Sequence, residues 1–162
     1  MTPLSGLELS SLEIFWQIYS ISLLPIIEWR GSIPFGLISW PESWQVILLG
    51  AILGSFTPFL PLYFGFNKLR ALALLAHPIL LIKFDQWIAK KQLVVEKHYN
   101  AYGYLGLAIF VFIPLPLTGI WSAALVASAL KLPWKGSALS ALIGLSLSAS
   151  LIVAIGLGII AL

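Results

Sequence analysis

The sequence contains no cysteine, which removes disulfides, thiolate nucleophiles and cysteine-ligated metal centres from consideration. Charge is nearly as scarce: nine Lys and Arg and six Asp and Glu make up only 9% of the 162 residues. A soluble domain carries about a quarter of its residues as charges, so this chain cannot clothe an aqueous surface. Histidine is limited to His77 and His98. Without a clustered carboxylate these two are not expected to hold a metal, and no histidine stands where it could make a triad with the abundant serines. No Gly-x-x-x-x-Gly-Lys phosphate loop and no nucleophile elbow occurs. Enzymatic activity and a bound cofactor are therefore not expected. No Lys or Arg precedes Arg30, so the signal-peptide pattern is not met and the first apolar stretch is expected to be retained.

What the chain has instead is apolar sequence, 60% of all residues, with a mean hydropathy of +1.01. It comes in long runs rather than helical stripes, which points to lipid as the solvent. Four regions are distinguished. The first, about 14–40, is interrupted by Glu28, Trp29, Arg30, Gly31 and Pro34. The second, Ser43–Phe66, is free of charge and reaches roughly 36 Å as a helix, enough to cross a bilayer with some tilt; Pro58 and Pro61 should kink its far end. The third, about 104–130, is broken by Pro114-Leu115-Pro116-Leu117-Thr118-Gly119. The fourth, 137–162, is charge-free and rich in Gly, Ala and Ser. Between the second and third lies a polar connection, 67–100, whose mixed aliphatic and basic residues read as amphipathic helices at the membrane surface, parted at Pro78.

The interrupted regions are either kinked spanning helices or re-entrant hairpins with their tips near the midplane, and the charges favour hairpins. Lys68, Arg70, Lys83, Lys90, Lys91 and Lys97 lie in the connection, and Lys131 and Lys135 precede the last run. Basic residues in short loops mark the cytoplasmic side, so both ends of the third region should be cytoplasmic. Glu8, Glu13 and Glu42 border the first region, whose ends should be external. The expected fold is an all-α integral membrane protein, an inverted repeat of re-entrant hairpin plus transmembrane helix. The halves, 1–66 and 101–162, would be joined by the surface helices in one multi-pass domain of the cell (plasma or inner) membrane. Trp40-Pro41 and Pro133-Trp134 each precede an unbroken helix, and with Trp44 suit the interface. Inverted repeats with discontinuous helices are a recurring transporter plan.

Glu28 and Arg30 lie within apolar sequence, where an ionisable group costs about 2.5–3.5 kcal/mol on insertion scales and normally faces a cavity or a partner. Residues two apart point to different faces of an intact helix, so an unwound stretch around Gly31 and Pro34 is expected to let them converge. Arg30 is then a candidate to hold an anion through its planar fork, and Glu28 to carry a proton. The alternative is an ion pair that merely fixes the tip. At the other break, Pro114 and Pro116 free backbone groups that lipid cannot satisfy. Thr118 adds a hydroxyl, a half-helix starting near Gly119 would attract an anion, and Trp121 could cover the site. Gly50 with Gly54, and Gly144 with Ser148, are spaced for close helix packing and would also serve a homodimer. The basic connection suits anionic lipid headgroups better than nucleic acid, which is not expected as a partner.

Glu28-Trp-Arg-Gly-Ser-Ile-Pro-Phe-Gly36 resembles the Glu-x-Arg-x-x-Ile-Pro-x-Gly signature of the putative small multidrug export proteins. Ile113-Pro-Leu-Pro-Leu-Thr-Gly-Ile-Trp121, with Tyr102-Gly103 before it, is similar to that family's second signature; Leu117 stands where the family pattern has glycine. The family in turn resembles, distantly, the DedA (VTT-type) group. That resemblance implies paired re-entrant hairpins with acidic and arginine residues, and movement of polyprenyl-phosphate or phospholipid carriers coupled to ion gradients. The expected function is a proton-coupled secondary transporter or flippase for an anionic lipid carrier or amphipathic small molecule. Arg30, Thr118, Gly119, Pro114, Pro116 and Trp121 would bind substrate, and Glu28 would couple the proton. A membrane scaffold or assembly factor, and an exporter of cationic drugs, are the alternatives.

Overall fold

The computed structural model describes residues 10–76, 102–113 and 118–160, and every regular element among them is helical. The surface helices expected beyond residue 76, His77 and His98, and Pro114 and Pro116 lie outside the described residues.

Helix α1 (Ser11–Ser22) starts on a capping box: Ser10 Oγ accepts the Glu13 N–H while the Glu13 carboxylate accepts from Ser10, which satisfies donors that every helix N-terminus leaves over. Pro25 prevents its continuation, and a turn over residues 23–27 leads into α2 (Glu28–Ser39). The unwound stretch expected at Gly31 and Pro34 is instead helical. The break lies earlier, where Pro25 follows the C-cap Leu23 and Glu28 takes a left-handed φ of 43°. Pro34 is accommodated inside α2 at the loss of one backbone hydrogen bond.

A 3-10 turn at Pro41–Ser43 opens the next segment, and α3 (Trp44–Phe56) follows. The chain bends at Thr57–Pro58, as the prolines led one to expect, and resumes as α4 (Phe59–Ala76). Pro61 is tolerated because it sits in the first turn of α4, where backbone N–H groups lack helical partners anyway. The helix does not stop at Asn67, where a polar connection was expected to begin, since no Gly or Pro separates Phe66 from Pro78. Two shorter helices, α5 (Tyr102–Phe112) and α6 (Ile120–Ala129), flank the second break, and α7 (Trp134–Ile160) closes the described chain. Helix α6 ends in a Schellman turn: the Leu132 N–H reaches the Ala127 carbonyl at 2.9 Å, with Lys131 left-handed at φ 55°.

Among the described residues, two segments are long and apolar enough to cross a membrane, Pro41–Phe66 and Trp134–Ile160, with mean hydropathies of 1.8 and 2.3. By contrast α1, α2, α5 and α6 have 12, 12, 11 and 10 residues. Each is roughly 15–18 Å long, about half a hydrocarbon core of about 30 Å.

Small residues set the helix contacts. A Cβ on Gly50 would meet the Phe15 carbonyl at 3.0 Å, and one on Gly54 would strike the Tyr19 carbonyl; α1 and α3 therefore run parallel in close contact. Similarly, Gly136 faces the Tyr104 ring, Ser140 Oγ donates to the Tyr104 carbonyl, and Gly144 faces the Ala108 carbonyl, which makes α5 and α7 parallel. Trp29 bonds Ser148, and Leu37 abuts Gly156, so α2 and α7 are parallel too. Helix α6 packs on α4.

Helix α7 presents its small residues inward, with Ser140, Ala141, Gly144, Ser148 and Ala149 buried. Leu139, Ile143, Leu147, Leu151, Ile155 and Ile159, every fourth residue, stand 44–68% exposed. A continuous leucine–isoleucine stripe of this kind is foreign to a water-facing surface. With the two long apolar helices it supports a membrane location. The charges separate along the bundle: Glu13 and Glu42 lie at the start of α1 and α3, whereas exposed Lys68, Lys131 and Lys135 gather where Phe64 touches Trp134.

Candidate functional site

The turn at residues 23–27 and the second break meet about halfway along α7, at the level of Ser148. The left-handed backbone at Glu28 is a conformation that non-glycine residues rarely adopt, and it lets Glu28 and Arg30, two apart, face each other. Arg30 Nη1 lies 3.0 Å from Glu28 Oε2. The expected convergence of this pair therefore occurs, through the turn before α2 rather than through unwinding at Gly31. Glu28 is 1% exposed and the Arg30 side chain 17%.

Arg30 also crosses to the other break. Its Nη2 donates to Thr118 Oγ1 at 3.0 Å, and that hydroxyl donates to the Ile113 carbonyl at the end of α5, 2.7 Å away. The guanidinium lies over the Trp29 ring, 4.3 Å from its centroid, a favourable stacking for arginine. Trp29 is anchored in turn by its indole N–H, which donates to Ser148 Oγ on α7 at 3.2 Å.

The expectation that an anion would be drawn to the start of α6 has a specific outcome: the anion there is the Glu28 carboxylate itself. Trp121 N–H donates to Glu28 Oε1 at 3.3 Å, and the Ile120 N–H faces the same carboxylate. A helix N-terminus favours negative charge because its first N–H groups lack helical partners and its dipole is positive there. Gly119, the N-cap, is required sterically, since a Cβ at that position would fall inside the Glu28 carboxylate. Trp121 thus meets the site through its backbone. Its indole Nε1 and Arg30 Nε are buried without a hydrogen-bond partner among the described residues.

Of the residues singled out in the sequence, the fold assembles Glu28, Arg30, Thr118, Gly119 and Trp121; Pro114 and Pro116 lie outside the described residues. Several contributors carried no signal. Trp29 and Ser148 were legible only as an apolar residue and a packing residue. Ser22, Ser32 and Ser55 form a buried set behind the turn, with Ser22 Oγ 2.6 Å from Ser32 Oγ. No group of three or more His, Asp or Glu capable of holding a metal occurs among the described residues.

Comparison with the curated proteins and with the solved structures gives no match. Comparison with protein families gives one that begins at Glu28, just after the first break, and takes in Arg30 and the whole second break, over residues 28–152. The chain belongs to the family described as Putative small multi-drug export protein.

Proposed function

We propose that this protein is a small secondary transporter that carries an anionic amphiphile, such as a lipid-phosphate carrier, together with a proton. Membership in an export family and two apolar helices of membrane length support the general role in transport. One observation carries the finer reading: the Glu28 carboxylate occupies a ready-made anion site, between the Arg30 guanidinium and the N-terminus of α6. Protonating Glu28 would remove that internal anion and leave both cationic receptors to a substrate phosphate. Proton and anion would then load together and the site would stay close to neutral, which the cost of buried charge demands. Arg30 Nε and Trp121 Nε1, which meet no hydrogen-bond partner among the described residues, are further donors for substrate oxygens. Arg30 is the charged group that faces Glu28 among the described residues.

The same reading takes α1 with α2, and α5 with α6, as re-entrant hairpins in an inverted repeat. Its support is that each arm is half a membrane long, and that α1 starts at the acidic end of the bundle while α5 starts at the basic end. Exposed Lys68, Lys131 and Lys135 suit a cytoplasmic face against anionic headgroups. A chain free of cysteine permits a clean check by single-cysteine labelling. Glu42→Cys and Lys135→Cys should react from opposite sides, and labelling from one side would sink the inverted scheme.

The functional test is uptake of a polyprenyl-phosphate analogue into proteoliposomes, with and without a pH gradient. Wild type should respond to the gradient. Glu28→Gln, which mimics the protonated acid, should abolish that response, and Arg30→Ala should abolish uptake. A well-folded wild type that moves no analogue under either condition would refute the anionic-lipid assignment. Export of a cationic drug is disfavoured because Glu28 is already paired. A structural clamp is the second reading, favoured by the way Arg30 ties one break to the other. It requires Arg30→Lys to be mild, whereas a phosphate site loses its bidentate fork.

A further inference from the structure

Between the second half of α2 and the last turns of α7 lies a groove of about 270 Å³, walled by Pro34, Leu37 and Ile38 on one side and Ile152, Ile155 and Gly156 on the other. It is smaller than the roughly 300–1,000 Å³ of drug-sized pockets, and its walls offer no polar side chain. A headgroup would be stripped of hydrogen bonds there; a hydrocarbon chain would not.

The position of the groove identifies its occupant. Pro34 follows Arg30 by four residues within α2, so the two lie on one helix face, roughly 6 Å apart along the axis. Leu37 and Ile38 continue that face. On α7 the order is the same: Ser148, which holds Trp29 beneath the guanidinium, is followed by Ile152, Ile155 and Gly156 towards the acidic end of the bundle. The anion site and the groove are thus consecutive stretches of one seam between two parallel helices. Gly156 lets Leu37 seat directly against α7 in the wall of the groove, because a Cβ there would meet Leu37 Cδ1 at 2.5 Å.

We infer that this groove seats the alkyl tail of a single anionic amphiphile whose head is held at Arg30, the tail lying in the half of the membrane at the acidic end. The inference rests on the transport reading above and adds a second determinant, chain length, to recognition of the head. It also gives the described conformation a direction: the seam opens to lipid on the acidic side, so loading occurs from that leaflet.

The test uses butyl phosphate and dodecyl phosphate, the latter also with a mid-chain diazirine, on the full chain in liposomes. Photolabelling in wild type should concentrate on Ile152 and Ile155. Gly156→Leu, where the new side chain displaces only the flexible end of Leu37, should lower the dodecyl-to-butyl uptake ratio by about tenfold. Ile155→Trp, which fills the groove from the other wall, should lower it likewise, so that a folding defect in one variant does not decide the matter. Label spread evenly over the lipid-facing residues Leu49, Leu139 and Leu147, with the ratio unmoved in both variants, would overturn the inference. Label confined to the groove in a wild type that takes up neither phosphate, or unchanged in Arg30→Ala, would uphold the groove as an alkyl site. It would instead refute the reading of Arg30 as the head anchor.

Discussion

The two breaks in this bundle are built from opposite materials. The first supplies charge: a carboxylate and a guanidinium on a strained left-handed backbone, with Pro25 as the cause of the break. The second supplies neutral receptors, namely the Thr118 hydroxyl, the Gly119 gap and the N–H groups at the start of α6. Neither is satisfied alone. Glu28 needs the α6 N-terminus as well as Arg30, and the α6 N-terminus has no side-chain cap of its own. Charge placed in one break and its dipolar partners in the other ties the two breaks together without adding net charge at mid-bundle. Whatever neutralises Glu28 changes both breaks at once.

Removing the charge from the first break should have the largest effect. Arg30→Ala leaves a buried carboxylate without its counter-charge, a change that costs about 3–5 kcal/mol in comparable buried pairs. A large drop in the thermal unfolding temperature in detergent is expected, with loss of gradient-driven uptake. Second comes Gly119→Ala, where the new methyl and the carboxylate cannot both fit. Overpacking of this kind costs about 1–3 kcal/mol, and the double variant Gly119→Ala/Glu28→Ala, which deletes the obstructing carboxylate, should be less impaired in stability than the two single losses added together. Strict additivity would mean that the two residues do not meet. Third, Thr118→Val removes one acceptor from Arg30, and an unsatisfied buried donor costs roughly 1–3 kcal/mol. A loss as large as that of Arg30→Ala would show the hydroxyl, not the charge, to be what joins the breaks.

Most of this assembly was legible because ionisable and backbone-breaking residues are conspicuous in apolar sequence. Glu28 and Arg30 had to find partners, and Thr118-Gly119 had to mark a break. Two things were not legible. The location of the first break was expected at Gly31 and Pro34, since both are weak helix formers; the competing signal was Pro25 followed by a residue that can be held left-handed by its pairing. The tie from Glu28 to the Trp121 N–H was hidden for a different reason. It joins residues 93 positions apart through a backbone group, and a backbone donor has no sequence signature. The side-chain bond from Trp29 to Ser148 was hidden because a tryptophan in apolar sequence shows no partner and the Gly144-xxx-Ser spacing reads as packing alone. Gly50 and Gly54, by contrast, pack as their spacing implies, because a helix can approach that closely only over glycine.

Strained backbone offers a finer comparison, since among the described residues two non-glycine positions have positive φ, Glu28 and Lys131. Left-handed conformation costs a non-glycine residue roughly 1–2 kcal/mol. At Lys131 it serves only to end α6, so Lys131→Gly should raise the unfolding temperature slightly, by about 1 kcal/mol in stability, and leave gradient-driven uptake intact. At Glu28 the same backbone presents the carboxylate, so Glu28→Gly should relieve the strain and still abolish the gradient response. If both glycine variants transported alike, neither the carboxylate nor the strained backbone at Glu28 would have a part in function.

The smallest effect separates the two helix N-termini that receive a glutamate. Glu28 sits at the start of α6 in the interior, whereas Glu13 caps its own helix, α1, in full exposure. The Ser10 backbone N–H, and then its hydroxyl, hold the Glu13 carboxyl below the ordinary range by bonding its ionised form. A depressed folded value means that the stabilisation is present above the unfolded carboxyl value and is lost as pH falls through the folded one. Amide exchange in the first turn of α1 should therefore accelerate relative to its intrinsic rate as pH falls below the ordinary glutamate carboxyl range, while the rest of α1 changes little. Glu13→Gln should flatten that response. A first turn whose protection ignores pH in wild type would show that solvent, not the Ser10–Glu13 box, satisfies this helix end. The contrast with Glu28 would then rest on burial alone.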